Sequence, residues 1–159
     1  MPVITSLAGA NTANTTTSKE HALGTEARGT DGTEWVYCVS SGAITQYQCV
    51  GINEDFDAYA MTSALSVQSD KVGFAQVAFA AGEYGWVATR GANIKVRTKA
   101  SAAADTQLWT TASAGVLDDA TAAAALKIDG IVLVAAAGTA ANGAAGIEIK
   151  ASWPAIRES

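Results

Sequence analysis

A chain of 159 residues, 49% of them hydrophobic, is long enough for one domain with its own core and needs no cross-links to hold it. A net charge of −5 and a pI near 4.7 lack the basic surplus that nucleic-acid binders carry. Charged residues are only 16% of the chain, below the usual quarter, a composition that suits surfaces packed into an assembly.

The chain opens with MPVITSLAGANTANTTTS, which has no charged side chain from Met1 to Ser18. It lacks the basic start and long apolar centre of a secretory signal. No stretch reaches the roughly 18 apolar residues of a membrane-spanning helix. Val3, Ile4 and Leu7 are its only substantial apolar groups, and they follow no helical period. Residues 1–22 therefore read as a flexible or extended N-terminal arm, either a loose terminus or a segment that orders on a partner. Residues 23–159 read as a single β domain.

Glu34 to Val39, EWVYCV, is rich in β-branched and aromatic residues and predicts a strand. Ser40-Ser41-Gly42 turns the chain, and Ile44 to Ile52 predicts a second strand. A hairpin centred near Ala43 and Ile44 would bring Cys38 towards Cys49. With no export signal, free buried thiols are favoured over a disulfide. Asn53-Glu54-Asp55 breaks the pattern, and Tyr59 to Thr62 is a short extended piece. Val72 to Phe79 is apolar on both faces, as for a strand covered on both sides. Gly82-Glu83-Tyr84-Gly85 then forms a corner, Trp86 to Thr89 a strand, and Arg90-Gly91-Ala92-Asn93 a further turn. Ile94 to Lys99 alternates strictly, with Lys95, Arg97 and Lys99 on one face. Asp119 to Leu126, DATAAAAL, is the one candidate for a short helix, with Asp118 or Asp119 as its cap. Ile128 to Val134 and Ile147 to Trp153 predict the last strands. No internal repeat stands out. Short strands with regular turn signals predict an all-β barrel or sandwich.

The residues assemble no reactive constellation. His21 lies in the polar leader, and one His with two Cys does not make a zinc site. Cys38 and Cys49 sit in apolar strands, where a thiol stays protonated. The alternating oxygens of NEDFDA resemble the start of a calcium loop, but Ala58 stands where glycine is required and no closing glutamate follows. Gly138 and Gly143 have phosphate-loop spacing, yet Ala144 replaces the lysine. No catalytic, metal or cofactor-binding residue is assigned, no cofactor is expected, and the chain does not read as an enzyme. Lys95, Arg97 and Lys99, with Arg90, form a basic stripe that is either a solvated strand face or a dock for an acidic protein. Tyr84, Trp86 and Trp109 are aromatic groups for the core or for a subunit seam.

The order of four segments, TEWVYCVSSGAITQYQCVGI, KVGFAQVAFAAGEYGWVATRGANIKV, TTASAGVLDDATAAAALKIDGIVLV and a terminal IEIKASWP, resembles the bacteriophage capsid decoration, or cement, family over residues 25–154. The resemblance implies a tulip-like small β barrel or sandwich that forms a homotrimer on the outer surface of an icosahedral head. Its partners would be the major capsid protein and copies of itself, with neither nucleic acid nor membrane. Its place would be the virion surface after synthesis in the host cytoplasm. The extended arm would contact the capsid, with Val3, Ile4 and Leu7 as anchors. Two other readings stand beside it. One is a different virion β protein, such as a head fibre base or tail component. The other is a carbohydrate-binding β module, for which Tyr84 and Trp109 near turns would supply the platform.

Overall fold

The computed structural model describes residues 9–66, 71–138 and 146–157, with the backbone alone for Trp153 and Arg157. It is all-β, with 46% strand and 1% helix. The strands are β1 (Glu26–Arg28), β2 (Glu34–Ser40), β3 (Cys49–Ile52), β4 (Asp57–Ala60), β5 (Lys71–Phe74), β6 (Tyr84–Thr98), β7 (Leu108–Thr110), β8 (Val116–Asp118), β9 (Lys127–Leu133) and β10 (Ile147–Arg157).

The pairings close twice. In the first barrel β2 runs parallel to β4, β4 pairs with β3, β3 with β5, β5 with β6, and β6 returns to β2. In the second barrel β6 runs parallel to β8, β8 pairs with β7, β7 with β9, β9 with β10, and β10 returns to β6. The two chain paths are the same, and β6 belongs to both. Closure removes the strand edges that would otherwise invite pairing with other chains.

Along β2 and β6 the repetition holds residue by residue. Val36, Cys38 and Ser40 point into the first barrel, as Ile94, Val96 and Thr98 do at matching register in the second. Ala58 corresponds to Leu117 and Val87 to Ile149, and all four are buried. Even the turns agree. Tyr47 (φ 67°) corresponds to Asp105 (φ 56°), and Phe56 (φ 63°) to Gly115 (φ 66°). No repeat is visible in the residues because a barrel interior asks only for apolar side chains at alternate positions, and Val, Ile, Leu and Cys serve equally.

Several predicted features change, and the strand predicted from Ile44 to Ile52 is confined to β3. The turn at Arg90 to Asn93 is absent, and β6 runs through it as one strand of 15 residues. Gly91, at φ 147°, is where the strand leaves the first barrel: pairing with β2 ends at Arg90 and pairing with β10 begins at Gly91. The predicted hairpin between β2 and β3 does not form, because β4 lies between them and Ile44 bridges to Phe79 instead. Asp119 to Leu126 is not helical. Leu126 is taken by β7, its carbonyl accepting from Thr110 N and its N–H donating to Thr110 Oγ1, each at 2.9 Å. A helix this short has no apolar face to repay its nucleation. Asp119 caps nothing helical; its carboxylate accepts from Ala103 N. β5 also stops at Phe74, before the predicted Phe79, because the chain bends at Gln76 and Val77.

Residues 9–22, grouped by sequence with the arm, are docked on the first barrel. Thr16 and Tyr84 exchange backbone hydrogen bonds at 2.9 and 2.8 Å, and Ala10 joins the larger apolar cluster. Val3, Ile4 and Leu7 lie outside the described residues.

Candidate interaction surfaces

The corner Gly82-Glu83-Tyr84-Gly85 is a lock. Gly82 turns the chain at φ 81°, a conformation that costs glycine nothing. Glu83 then folds back. Its Oε2 accepts from Ala80 N and from Thr15 Oγ1, both at 2.8 Å. The Ala80 N–H first, then the Thr15 hydroxyl, hold this carboxyl below the usual glutamate range. Ser40 Oγ donates to Ala80 O at 2.5 Å, tying β2 to the same turn. One side chain therefore joins the corner to the N-terminal segment.

Beneath that segment lies an aromatic cluster. Tyr37 and Tyr84 stack at 6.4 Å, Trp86 meets Tyr37 at 5.1 Å, and His21 sits edge-on to Tyr37 and Trp86 at 5.1 and 5.2 Å. Glu20 N donates to the Tyr37 hydroxyl. A shallow hollow of about 160 Å³ opens here, lined by Asn11, Asn14, Glu20 and Tyr84 among others. Trp86 is 2% exposed and Tyr37 1%, so the rings are spent on packing and offer no flat platform. Tyr84 and Trp109 are half-buried.

The thiols are free and inert. Cys38 points into the first barrel, and burial pushes it up to about 12. Cys49 belongs to the other cluster, outside that barrel wall, and burial raises it as well. Their side chains occupy opposite faces of the wall. Among the described residues no group of three or more metal-ligating side chains comes together. NEDFDA is a turn in which Asn53 Oδ1 accepts from Asp55 N and Asp57 N. Asp31 is the other displaced carboxyl. Burial would raise it, but hydrogen bonds from Thr33 N, Thr33 Oγ1 and Asn93 outweigh that and lower it. These bonds brace the point where β6 crosses between barrels.

The basic stripe divides. Lys95 is exposed on the second barrel, its ammonium 5.6 Å from the Tyr47 ring centroid. Arg97 Nε donates to Gln46 O at 2.7 Å, and Lys99 Nζ to Ser113 Oγ at 3.1 Å. Arg90 stands on the far side of Gly91 and pairs with Glu34 at 3.6 Å. Arg97 and Lys99 thus act within the fold, and Lys95 is the stripe's most open cation.

The sequence reading missed two features. Gln76 clamps Lys95 through a pair of hydrogen bonds, its Oε1 accepting from Lys95 N at 3.0 Å and its Nε2 donating to Lys95 O at 2.9 Å. Val132 and Val134 stand on the outer face of the second barrel, each 43% exposed. The sequence carried no signal for either valine, since Ile131, Val132, Leu133 and Val134 are all apolar and only the fold puts Ile131 and Leu133 on the inner face. No family model and no curated protein matches this chain.

Proposed function

We propose that this protein is a homotrimeric cement protein, which binds the outer surface of an icosahedral phage head and ties neighbouring major capsid subunits together. The observation that carries the reading is where the reactive groups went. Both thiols are buried, His21 is wedged against two rings, and the two displaced carboxyls hold turns. What the surface offers is strand faces, which suit docking. The order of the four sequence segments that resemble capsid decoration proteins supports the same reading. A trimer that spans several subunits gains strength because its second and third contacts are effectively intramolecular. The uncharged N-terminus, with Val3, Ile4 and Leu7, is suited to adding backbone hydrogen bonds along a capsid strand.

The test is the rupture temperature of heads prepared with and without the protein. Bound protein raises it; equal temperatures would sink the reading. Removing residues 1–8 spares the docked segment, so it should abolish head binding while leaving the fold intact. Lys95→Gln should weaken binding and flatten its salt dependence if the open cation faces the capsid.

A further inference from the structure

Closure leaves one strand with an open edge. Each of β2 to β10 pairs with at least two strands, and β1 pairs with β2 alone. The hydrogen bonds at its ends show which backbone groups that pairing uses. Tyr37 N donates to Thr25 O at 2.9 Å, and Gly29 N donates to Thr33 O at 2.8 Å. Antiparallel strands alternate bonded and non-bonded pairs. Ala27 opposite Trp35 is therefore the bonded pair between them, and Glu26 and Arg28 stand at non-bonded positions. Their N–H and C=O groups point away from β2, and both residues are exposed. Donors and acceptors arrayed along an open edge are a template for another strand.

The strand that fits this edge is β1 itself. When two copies are set antiparallel about Ala27, Glu26 of each falls opposite Arg28 of the other. These are the residues whose backbone groups point outward, so each of the two pairs can exchange both of its backbone hydrogen bonds. Directly opposite side chains share a face, so each pair also sets a carboxylate beside a guanidinium. An edge guarded against its own kind carries charges of one sign. Glu-Ala-Arg carries opposite signs two residues apart, which become complementary when the strand is reversed.

Both charges are available. Arg28 faces Glu34 across the existing pair, but Glu34 is taken by Arg90 at 3.6 Å, and Arg28 makes no ion pair among the described residues. Glu26 meets Lys71 at 3.8 Å with 77% of its side chain exposed, a weak tie at the surface. The N-terminus from Met1 to Ser18 is uncharged and offers neither partner.

We infer that the edge of β1 pairs with the same edge of a second copy, across a two-fold axis at Ala27, and joins two first barrels through one continuous sheet. A contact that uses the same patch on both partners is isologous, and it cannot close a threefold ring. It is therefore separate from any trimer seam, and on a head it would link neighbouring trimers. The inference goes beyond the cement reading and stands or falls without it.

The test uses the axis. Ala27 meets its copy at a non-bonded position, where opposite Cα atoms lie about 4.5 Å apart, within disulfide range. Ala27→Cys should cross-link under mild oxidation while Cys38 and Cys49 stay buried. On that background Glu26→Arg or Arg28→Glu alone sets like charges opposite each other and should slow cross-linking by about tenfold or more. An equimolar mixture of the two should regain the rate. Arg28→Pro removes one outward N–H, spares the pairing with β2, and should block cross-linking. Circular dichroism and melting check that each variant is folded. Equal rates in all variants, or a mixture no faster than its components, overturn the inference. If Ala27→Cys does not fold, light scattering of the charge variants without it reads the same pattern as mass, and masses that do not differ overturn it. Hydrogen-exchange protection of the Glu26 and Arg28 amides that appears only on heads would make the occupant a capsid strand, which also overturns it.

Discussion

Two residues show how much of this fold depends on single atoms. A Cβ on Gly91 would sit 2.8 Å from Thr33 Oγ1 and 3.0 Å from Thr33 Cα, at a φ of 147° that other residues rarely adopt. Gly91→Ala should therefore lower stability by about 2 kcal/mol, read as a shift in the urea midpoint. Glu83 makes a pH prediction. Its folded pKa lies below the ordinary value of 4.5, so its contribution is complete above that value and fades as pH falls through the lower, folded one. Glu83→Gln should melt earlier than wild type at neutral pH, and the gap should close in acid. A gap that persists unchanged at acid pH would show that the charge plays no part. Cys38 and Cys49 should resist a thiol reagent at pH 8 in the native protein and react at once in denaturant. Burial holds both well above the pH of the assay.

Among the elements, β7 has only three residues, yet it joins β8 to β9. Thr110 is 1% exposed, and its hydroxyl accepts from Leu126 N at 2.9 Å and bonds Ser63 Oγ at 3.1 Å. Thr110→Val keeps the shape and leaves the Leu126 N–H unpaired, at a cost of about 1–3 kcal/mol measurable by denaturant melts. The segment DATAAAAL looks helical only in isolation. Its alanines favour helix weakly, and a ladder partner at its end outweighs that preference. The N-terminal segment shows the reverse. Its Thr and Asn residues carry no period, yet Thr15, Thr16 and His21 find partners on the first barrel.

At the scale of the molecule, sharing β6 couples the barrels. Neither can open without losing a strand of its ring, so unfolding should be one transition. Tryptophan fluorescence and far-UV circular dichroism should trace the same melting curve. Separate midpoints would mean that the barrels unfold independently.

The all-β class was legible in the sequence because period two and turn residues act locally. Ile94, Val96 and Thr98 inside, with Lys95 and Arg97 outside, needed no knowledge of their neighbours. Buried thiols and the turn at Asn53 were legible for the same reason. The doubling of the barrel was not, since equivalent interior positions share only size and polarity. Nor was the passage at Gly91, where glycine marks close approach to Thr33, a residue far away in sequence. Tertiary pairing alone turned that apparent corner into the strand that joins two barrels. The exposure of Val132 and Val134 was likewise decided only by the tertiary structure, since Ile131 to Val134 is one apolar run in which nothing local marks the outer face.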